Sequence, residues 1–287
     1  AKPLRVGGGL PMECWPIAQD RVRYNGEPVA LVVARSRYIA EDALGLIEVD
    51  YEKCPAVVTP QQALENTCLL HENVGTNLVS DRRFRYGDPE AAFAQAAHTI
   101  DIAVSYPRNS VTPIECYGLI AQYDAFEGAY DVTANFQGPF SIHAVIARAL
   151  NVPGNKLRLR TPPASGGSFG VKQAIFPYIV LAGIAARVAG GPVKWVEDRL
   201  EHLMAAVSAT NRETILKAAV DETGKILALD WDQIEDVGAY IRAPEPATIY
   251  RMHGNMCGAY DIQNLAIRNR VVVTNKTPTG LVRGFGG

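Results

Sequence analysis

A glycine-rich loop in the middle of the chain is the segment whose residue types best suit ligand binding. Residues 162–170 read Pro-Pro-Ala-Ser-Gly-Gly-Ser-Phe-Gly, between a predicted strand and a helix predicted to begin near Lys172. Glycines let the backbone approach a ligand closely, and the first N–H groups of a helix carry partial positive charge, so the loop favours an anion. It matches neither common nucleotide-binding glycine pattern. A tight turn without a ligand is the alternative.

A second glycine-rich loop stands at the end of the sequence, Arg283-Gly284-Phe285-Gly286-Gly287. The guanidinium of Arg283 can hold a carboxylate, carbonyl or enolate through paired hydrogen bonds. The alternative is a surface arginine beside a turn. Because glycine runs usually connect elements or approach a ligand, we expect this sequence to be a piece of a longer polypeptide.

Polar residues outside the loops suggest narrower roles. Gln137 follows a predicted strand and precedes a helix, where its amide can donate to a ligand oxygen or simply face solvent. Glu115 is either a buried acid or, as we expect, a carboxylate that pairs with a neighbouring arginine to hold the fold. The acidic run 197–201 is typical of a capped, solvated helix start.

The sequence offers no recognisable set of metal ligands. Its five histidines are far apart, none has HxH or HExxH spacing, and no cysteine lies near another. Neither a zinc site nor an iron–sulfur cluster is therefore expected on this chain. A GxSxG nucleophile elbow is absent as well. Any redox metal must arrive on an organic cofactor.

Charge and composition exclude several classes of protein. The 287 residues include 28 Lys and Arg against 30 Asp and Glu, and a net charge of −2 lacks the basic footprint of a nucleic-acid-binding protein. The longest apolar stretch, residues 175–189, is interrupted by Pro177 and Arg187 and is short for a membrane span. Five scattered cysteines argue against a disulfide framework, so we expect a reducing, cytoplasmic location.

Strand and helix signals alternate through the first segment. Residues 28–34 (PVALVVA) have the length and β-branching of a buried strand, residues 37–46 suit a helix, and residues 47–51 return to strand alternation. Turn residues follow this β-α-β unit, and we place a domain boundary between residues 61 and 85. The predicted domains are 1–75 and 76–287.

The second segment interleaves helices with hairpins, which favours an α+β fold over a doubly wound parallel sheet. A helix at about 172–188 is apolar on every face and is expected to be buried. The other predicted elements are helices at 89–97, 140–150, 199–206 and 246–257, strands at 99–106, 118–123, 130–135, 156–160, 192–196 and 266–275, and a hairpin over 213–236.

Taken together, these segments resemble the molybdopterin-binding large subunit of the xanthine dehydrogenase, aldehyde oxidase and carbon monoxide dehydrogenase family. The resemblance covers nearly the whole chain, and its motifs stand in the family's order. The segments similar to the α/β hammerhead domain are 22–30, 40–43 and 48–52; those similar to the cofactor domain are 87–93, 166–170 with Lys172 (the GGGFG loop), 193–199 and 283–287 (the RGFGG loop).

The resemblance implies an α/β hammerhead domain followed by a mixed α/β domain that binds the molybdenum cofactor. In this family a pterin dithiolene holds the metal, and no protein side chain ligates it. The enzymes insert water-derived oxygen into an electron-poor C–H bond and pass electrons through iron–sulfur centres to flavin. That organisation would explain the missing metal ligands.

By position, the resemblance assigns Gln137 to a hydrogen bond with a molybdenum oxo group and the backbone of Phe169 and Gly170 to the metal's oxygen ligand. Arg283 would orient substrate or stabilise charge that develops on it. Arg283 and Gln137 are thus the implied catalytic residues, and Gln173 and Arg283 the implied substrate contacts. The implied cofactor-binding residues are Gln137, Gly166, Gly167, Ser168, Phe169, Gly170, Arg283, Gly284, Phe285 and Gly286.

Departures from the family pattern narrow the substrate. Ser168 replaces the middle loop glycine, and Gln173 stands where purine-oxidising members typically have a substrate-contacting Glu, which weakens a xanthine assignment. Gly284 occupies the place of the copper-binding Cys of carbon monoxide oxidisers, so an aldehyde or N-heterocycle is favoured. The family's catalytic Glu has no counterpart in these 287 residues.

We therefore expect a fragment, or one chain of a split large subunit, of a molybdenum hydroxylase that acts on a small molecule. Its expected cofactor is molybdenum with molybdopterin cytosine dinucleotide. Its expected partners are the remaining part of the large subunit, an FAD subunit and a [2Fe-2S] subunit. A non-catalytic cofactor-binding or scaffold module is the alternative, and a nicotinamide dehydrogenase is a distant third because no glycine fingerprint follows a strand.

Overall fold

The computed structural model describes residues 1–4, 12–209, 211–242, 254–280 and 282. Helices alternate with strands along this part of the chain, and the strands pair in both parallel and antiparallel fashion. The elements are α1 (Arg37–Leu44), α2 (Pro60–Glu65), β1 (Leu78–Tyr86), α3 (Pro89–Ala94), β2 (His98–Tyr106), β3 (Gly118–Asp124), β4 (Ala129–Ala134), α4 (Pro139–Leu150), β5 (Leu157–Arg160), α5 (Phe176–Ala189), β6 (Val193–Val196), α6 (Arg199–Ala205), β7 (Arg212–Val220), β8 (Ile226–Asp236) and β9 (Asn264–Val272). Short 3₁₀ helices stand at Gly154–Lys156 and Val171–Ile175. The predicted α+β class is confirmed.

The larger sheet has five strands in the order β1-β9-β8-β7-β2. The predicted hairpin forms β7 and β8, and Asp221 holds its turn by accepting the N–H groups of Thr223 at 2.8 Å and Lys225 at 3.0 Å. β8 and β9 are parallel, whereas the other neighbouring pairs in this sheet are antiparallel. α3 packs against β8 and β9. The sheet is therefore mixed, as an α+β fold allows.

The smaller sheet, in the order β5-β4-β3-β6, carries the elements on which the candidate site is built. α5 packs against β3, β4, β6 and α4, and its residues are buried on several faces, as the sequence predicted. The stretch Val171–Ala189 has the length and apolarity to cross a membrane, but most of it lies buried inside the protein. Burial of this kind is what the core helix of a folded domain shows.

The prediction of strands at 28–34 and 47–51 is wrong, because neither segment pairs with another strand in the structure. Val29, Leu31 and Val33 are 39%, 46% and 43% exposed rather than buried. A strand needs a neighbour to pair its N–H and C=O groups, and the described residues provide none here. α1 forms as predicted with Ser36 at its N-cap, yet none of its residues is buried.

A cluster of polar side chains ties this first segment to the second segment. Arg242 donates to the hydroxyl of Tyr24 at 2.5 Å, and the hydroxyl of Tyr240 donates to Glu27 at 2.7 Å. Tyr24 and Tyr240 also meet edge to face, with ring centroids 6.2 Å apart. Burial raises the pKa of Tyr24 to about 12, so its hydroxyl keeps its proton. These contacts hold residues 24–27 against the segment that follows β8.

Two elements, α2 and β1, were not predicted from the sequence. One predicted helix lies largely outside the described residues. Thr59 caps α2 through a capping box inside a stretch predicted as turns, and β1 lies largely within the interval assigned to the domain boundary. Most of the helix predicted at 246–257 lies outside the described residues, and its last residues, 254–257, form turns. The remaining predicted helices and strands of the second segment are confirmed within a few residues.

Candidate functional site

The glycine-rich loop is held in an unusual backbone conformation. It follows β5 and leads into the 3₁₀ turn Val171–Ile175, which runs directly into α5. Gly167 and Gly170 have φ of 89° and 110°, and Phe169 between them has φ of 50°. A non-glycine residue in this region costs about 1–3 kcal/mol, and such strain clusters at functional sites. The side chain of Phe169 is 60% exposed, so core packing is not what stabilises it there.

Ser168 explains how the loop enters the helix. Its hydroxyl accepts the N–H groups of Gly170 and Lys172, both at 3.1 Å, and its carbonyl accepts the N–H of Val171 at 3.1 Å. We expected free N–H groups at this helix start, but those of Gly170, Val171 and Lys172 are bonded to Ser168. Ser168 thereby ties the loop to the start of the 3₁₀ turn.

A buried ion pair lies beneath the loop. The side chain of Lys172 is 1% exposed, and its ammonium contacts the carboxylate of Glu115, which is 38% exposed. The same oxygen, Oε2, accepts the N–H of Gly166 at 3.0 Å. Burial raises the pKa of Glu115, but hydrogen bonds from Lys172 and Gly166 lower it, and the net shift is downward. The expected arginine partner is thus wrong: a lysine just after the loop takes that place.

The turn that carries Gln137 is connected to the same helical start. Gly138 follows with φ of 64°, and Ser141 Oγ donates to the carbonyl of Gly138 at 2.7 Å. Gln173, only 5% exposed, donates from Nε2 to Ser141 Oγ at 2.6 Å. A Cβ added to Gly138 would lie 3.2 Å from that Nε2. One hydrogen-bonded chain therefore connects the Gln137 turn to the residue beside Lys172.

The structure thus assembles most of the site residues that the sequence indicated. The loop 166–170, Gln173 and half-buried Gln137 occupy one region, joined through Ser141. The residues of the second predicted loop, Arg283, Gly284, Phe285 and Gly286, lie outside the described residues.

One cluster of potential ligand side chains was missed in the sequence analysis. Potential ligand atoms of Cys116, Glu197 and His202 lie within 4.8 Å of one another. Glu197 Oε2 lies 2.6 Å from Nδ1 of His202 and accepts the N–H of Tyr117 at 3.0 Å. We expected the acidic run to be solvated; this holds for Asp198 and Glu201, which are exposed, but is wrong for Glu197, which is 3% exposed. The contacts instead tie the start of α6 to the start of β3.

The predicted cap of the same run is confirmed. Asp198 and Glu201 form a capping box at the start of α6. The signal for the buried pair was the spacing of Glu197 and His202 around this cap, which alone does not distinguish burial from exposure. Cys116 comes from a distant part of the chain, so only the tertiary structure brings it near.

Two protein-family models match the chain. Residues 70–287 match the molybdopterin cofactor-binding domain. Residues 6–55 match the aldehyde oxidase and xanthine dehydrogenase a/b hammerhead domain.

Curated relatives agree with these matches. The chain is 36% identical over 273 residues to the 6-hydroxypseudooxynicotine dehydrogenase complex subunit gamma of Paenarthrobacter nicotinovorans, covering 94% of this chain and 34% of the relative. It is 31% identical to the carbon monoxide dehydrogenase large chain of Hydrogenophaga pseudoflava, covering 92% of this chain and 35% of the relative. The chain thus spans about a third of the length of these relatives.

Solved structures give the same result. Quinoline 2-oxidoreductase from Pseudomonas putida 86 superposes with a TM-score of 0.90 at 32% identity, covering 99% of this chain and 36% of that chain. Reconstituted CO dehydrogenase from Oligotropha carboxidovorans superposes with a TM-score of 0.85 at 31% identity, covering 98% and 36% of the two chains.

Proposed function

Since the chain belongs to the family of molybdopterin-binding large subunits that includes xanthine dehydrogenase and aldehyde oxidase, we propose that it forms part of a molybdenum hydroxylase. The complete enzyme would insert water-derived oxygen into a C–H bond of an aldehyde or an N-heterocycle. One observation carries the proposal: the strained loop 166–170 and the Gln137 turn are held together by the Gln173–Ser141 hydrogen bond.

The residues present fit a metal that arrives on an organic cofactor. A Cβ added to Gly167 meets nothing within 4 Å, so the loop borders open space that a ligand can enter. Among the described residues, one group of His, Cys, Asp and Glu side chains lies close enough together to hold a metal ion: Cys116, Glu197 and His202. None of these residues belongs to the loop. A molybdenum held by a pterin needs no ligand from a protein side chain. The loop backbone and the Gln137 side-chain amide would contact the cofactor instead.

When bound, the molybdenum cofactor supplies the redox chemistry. The proposed part of this chain is to bind and orient it. We assign the Gln137 amide to donate a hydrogen bond to an oxygen of the cofactor, and the backbone of 166–170 to pack against it. We assign Arg283 to orient substrate or stabilise charge that develops on it. Gly284, Phe285 and Gly286 complete the proposed cofactor-binding set.

The substrate assignment rests on two positions and on the names of relatives. Gln173 lacks the negative charge that a Glu would provide, and Gly284 lacks a thiol. Relatives named for nicotine and quinoline support an N-heterocycle as substrate. Gln173 is our proposed substrate contact, with its Nε2 already bound to Ser141. Its remaining amide oxygen is the atom we assign to substrate.

The partners are also part of the proposal. Relatives named as subunits or chains of dehydrogenases support assembly with other chains. We propose an FAD subunit, a [2Fe-2S] subunit and the remaining part of the large subunit, with molybdopterin cytosine dinucleotide as the cofactor and the cytoplasm as the location. The catalytic Glu would come from that remaining part.

Metal and substrate analysis of the purified complex tests the proposal. We expect about one molybdenum per large subunit, together with a pterin released on denaturation. A panel of aldehydes, purines and N-heterocycles with an artificial electron acceptor identifies the substrate. Active protein without molybdenum would contradict the proposal. An inactive complex that still retains the pterin would instead support the cofactor-binding or scaffold alternative.

A further inference from the structure

We propose that Glu115 and Lys172 are positioning residues that hold the Gly166 end of the loop in the conformation that receives the cofactor. The inference rests on the proposed function. It adds a role for two charged side chains that need not touch the cofactor and act through the loop backbone.

The burial of the pair is asymmetric. The Lys172 side chain is 1% exposed, whereas the Glu115 side chain is 38% exposed. A buried ammonium is costly unless it is paired and hydrogen-bonded, so Lys172 needs Glu115 more than the surface-facing carboxylate needs Lys172. The surface pair of Lys156 and Glu127, 35% and 56% exposed, lacks this asymmetry. The buried lysine therefore holds the carboxylate at one place.

The carboxylate in turn holds the loop. Glu115 Oε2 contacts Lys172 Nζ and accepts the N–H of Gly166 at 3.0 Å and the hydroxyl of Ser165 at 3.4 Å. A Cβ added to Gly166 would lie 2.5 Å from the Cβ of Glu115, so the loop backbone passes directly against this side chain. Because the peptide bond is planar and trans, fixing the Gly166 N–H also directs the Ser165 carbonyl to the opposite side.

Lys172 closes the other end of the same loop. Its backbone N–H donates to Ser168 Oγ at 3.1 Å, while its side chain reaches back to Glu115. One residue thus fixes both the end of the loop, through its backbone, and the start, through the carboxylate. Three of the four residues from 167 to 170 have positive φ angles: Gly167, Phe169 and Gly170. Such a conformation persists only where the surrounding structure restrains it.

A double variant separates positioning from stability. Glu115→Ala with Lys172→Met removes both charges, so no buried charge is left unpaired. We expect the thermal unfolding midpoint of the complete large subunit in its complex to stay near that of the wild type. We expect the cofactor to dissociate at least about tenfold faster, the size typical of losing a supporting contact behind a metal site. Released pterin fluorescence and residual molybdenum measure the loss.

The control removes a matched pair at the surface. Glu127→Ala with Lys156→Met eliminates an ion pair of 3.1 Å, and the cofactor should dissociate at the wild-type rate. A folded Glu115–Lys172 double variant that keeps the cofactor as long as the wild type would overturn the inference.

Hydrogen exchange of the wild-type protein tests the inference even if the double variant does not fold or the protein does not bind the cofactor. Gly166 is exposed, so strong protection of its wild-type amide must come from the bond to Glu115. We expect exchange at least about tenfold slower than in an unstructured chain, with or without cofactor. An unprotected Gly166 amide overturns the inference. A wild-type complex that contains no molybdenum contradicts the proposed function alone, and the exchange result still decides this inference.

Discussion

Gln173 Nε2 lies 2.6 Å from Ser141 Oγ, and this hydrogen bond joins the two segments of the candidate site. Gln173 stands just after the loop, while Ser141 lies in the first turn of α4 beside the Gln137 turn. The bond is part-buried: Gln173 is only 5% exposed, whereas Ser141 is exposed. This polar contact thus helps to place the two segments of the site relative to each other.

The first prediction concerns that contact. Ser141→Ala removes the acceptor of Gln173 Nε2 and the donor to the Gly138 carbonyl. A typical hydrogen bond contributes about 0.5–1.5 kcal/mol, so we expect a loss of stability in that range or slightly above it, measured by denaturant unfolding. Ser105→Ala on exposed β2 is the control and should change stability by less than about 0.5 kcal/mol. Equal stability of the two variants would contradict the role given to Ser141.

The second prediction concerns the two hydrogen bonds that the Ser168 hydroxyl accepts. Ser168→Ala removes the acceptor for the N–H groups of Gly170 and Lys172. A hydrogen bond of this kind contributes about 0.5–1.5 kcal/mol, and we expect a corresponding fall in the thermal unfolding midpoint. Ser168→Thr keeps a hydroxyl at the same place and should retain most of the stability. A threonine variant as unstable as the alanine variant would show that the hydroxyl is not responsible.

The third prediction compares two glycines. A Cβ on Gly166 would lie 2.5 Å from the Cβ of Glu115, whereas a Cβ on Gly191 meets nothing within 4 Å. Gly166→Ala should therefore destabilise the protein by about 1–3 kcal/mol, as overpacking does. Gly191→Ala should be within about 0.5 kcal/mol of the wild type. Chemical denaturation of both variants checks the difference, and a harmless Gly166→Ala would refute the close approach.

The fourth prediction is a pH dependence of stability that depends on His71. Burial lowers the pKa of His71 from 6.5 to about 4, and its Nε2 lies 2.8 Å from the carbonyl of Ala239. The unfolded chain therefore binds a proton at a higher pH than the folded protein does. The contribution to stability is complete above about pH 6.5 and is lost as the pH falls towards 4, by up to roughly 3 kcal/mol.

Unfolding midpoints between pH 7 and pH 4.5 test this dependence. His71→Gln can donate to the same carbonyl without a titratable ring, so its stability should fall less steeply with acid than that of the wild type. His98→Gln changes an exposed histidine on β2 and should follow the wild-type curve. Identical pH curves for wild type and His71→Gln would remove His71 as the cause.

Local patterns in the sequence were sufficient for the elements that carry their own signals. The buried helix α5, the hairpin of β7 and β8, and the cap of α6 were predicted because an apolar run without a polar face, a turn at Gly224, and a capped acidic helix start are all local signals. The two strands predicted at 28–34 and 47–51 failed for a related reason. β-Branching or alternation gives a segment the propensity for a strand, but only a neighbouring strand can satisfy its backbone.

The sequence by itself determined the family, the α+β class and the loop at 166–170, because those depend on residue type and order along the chain. Only the tertiary structure decided that Lys172 is the partner of Glu115 and that Gln173 binds Ser141. Charge pairing and burial depend on which residues meet across the fold. Spacing along the chain does not encode such contacts between distant segments.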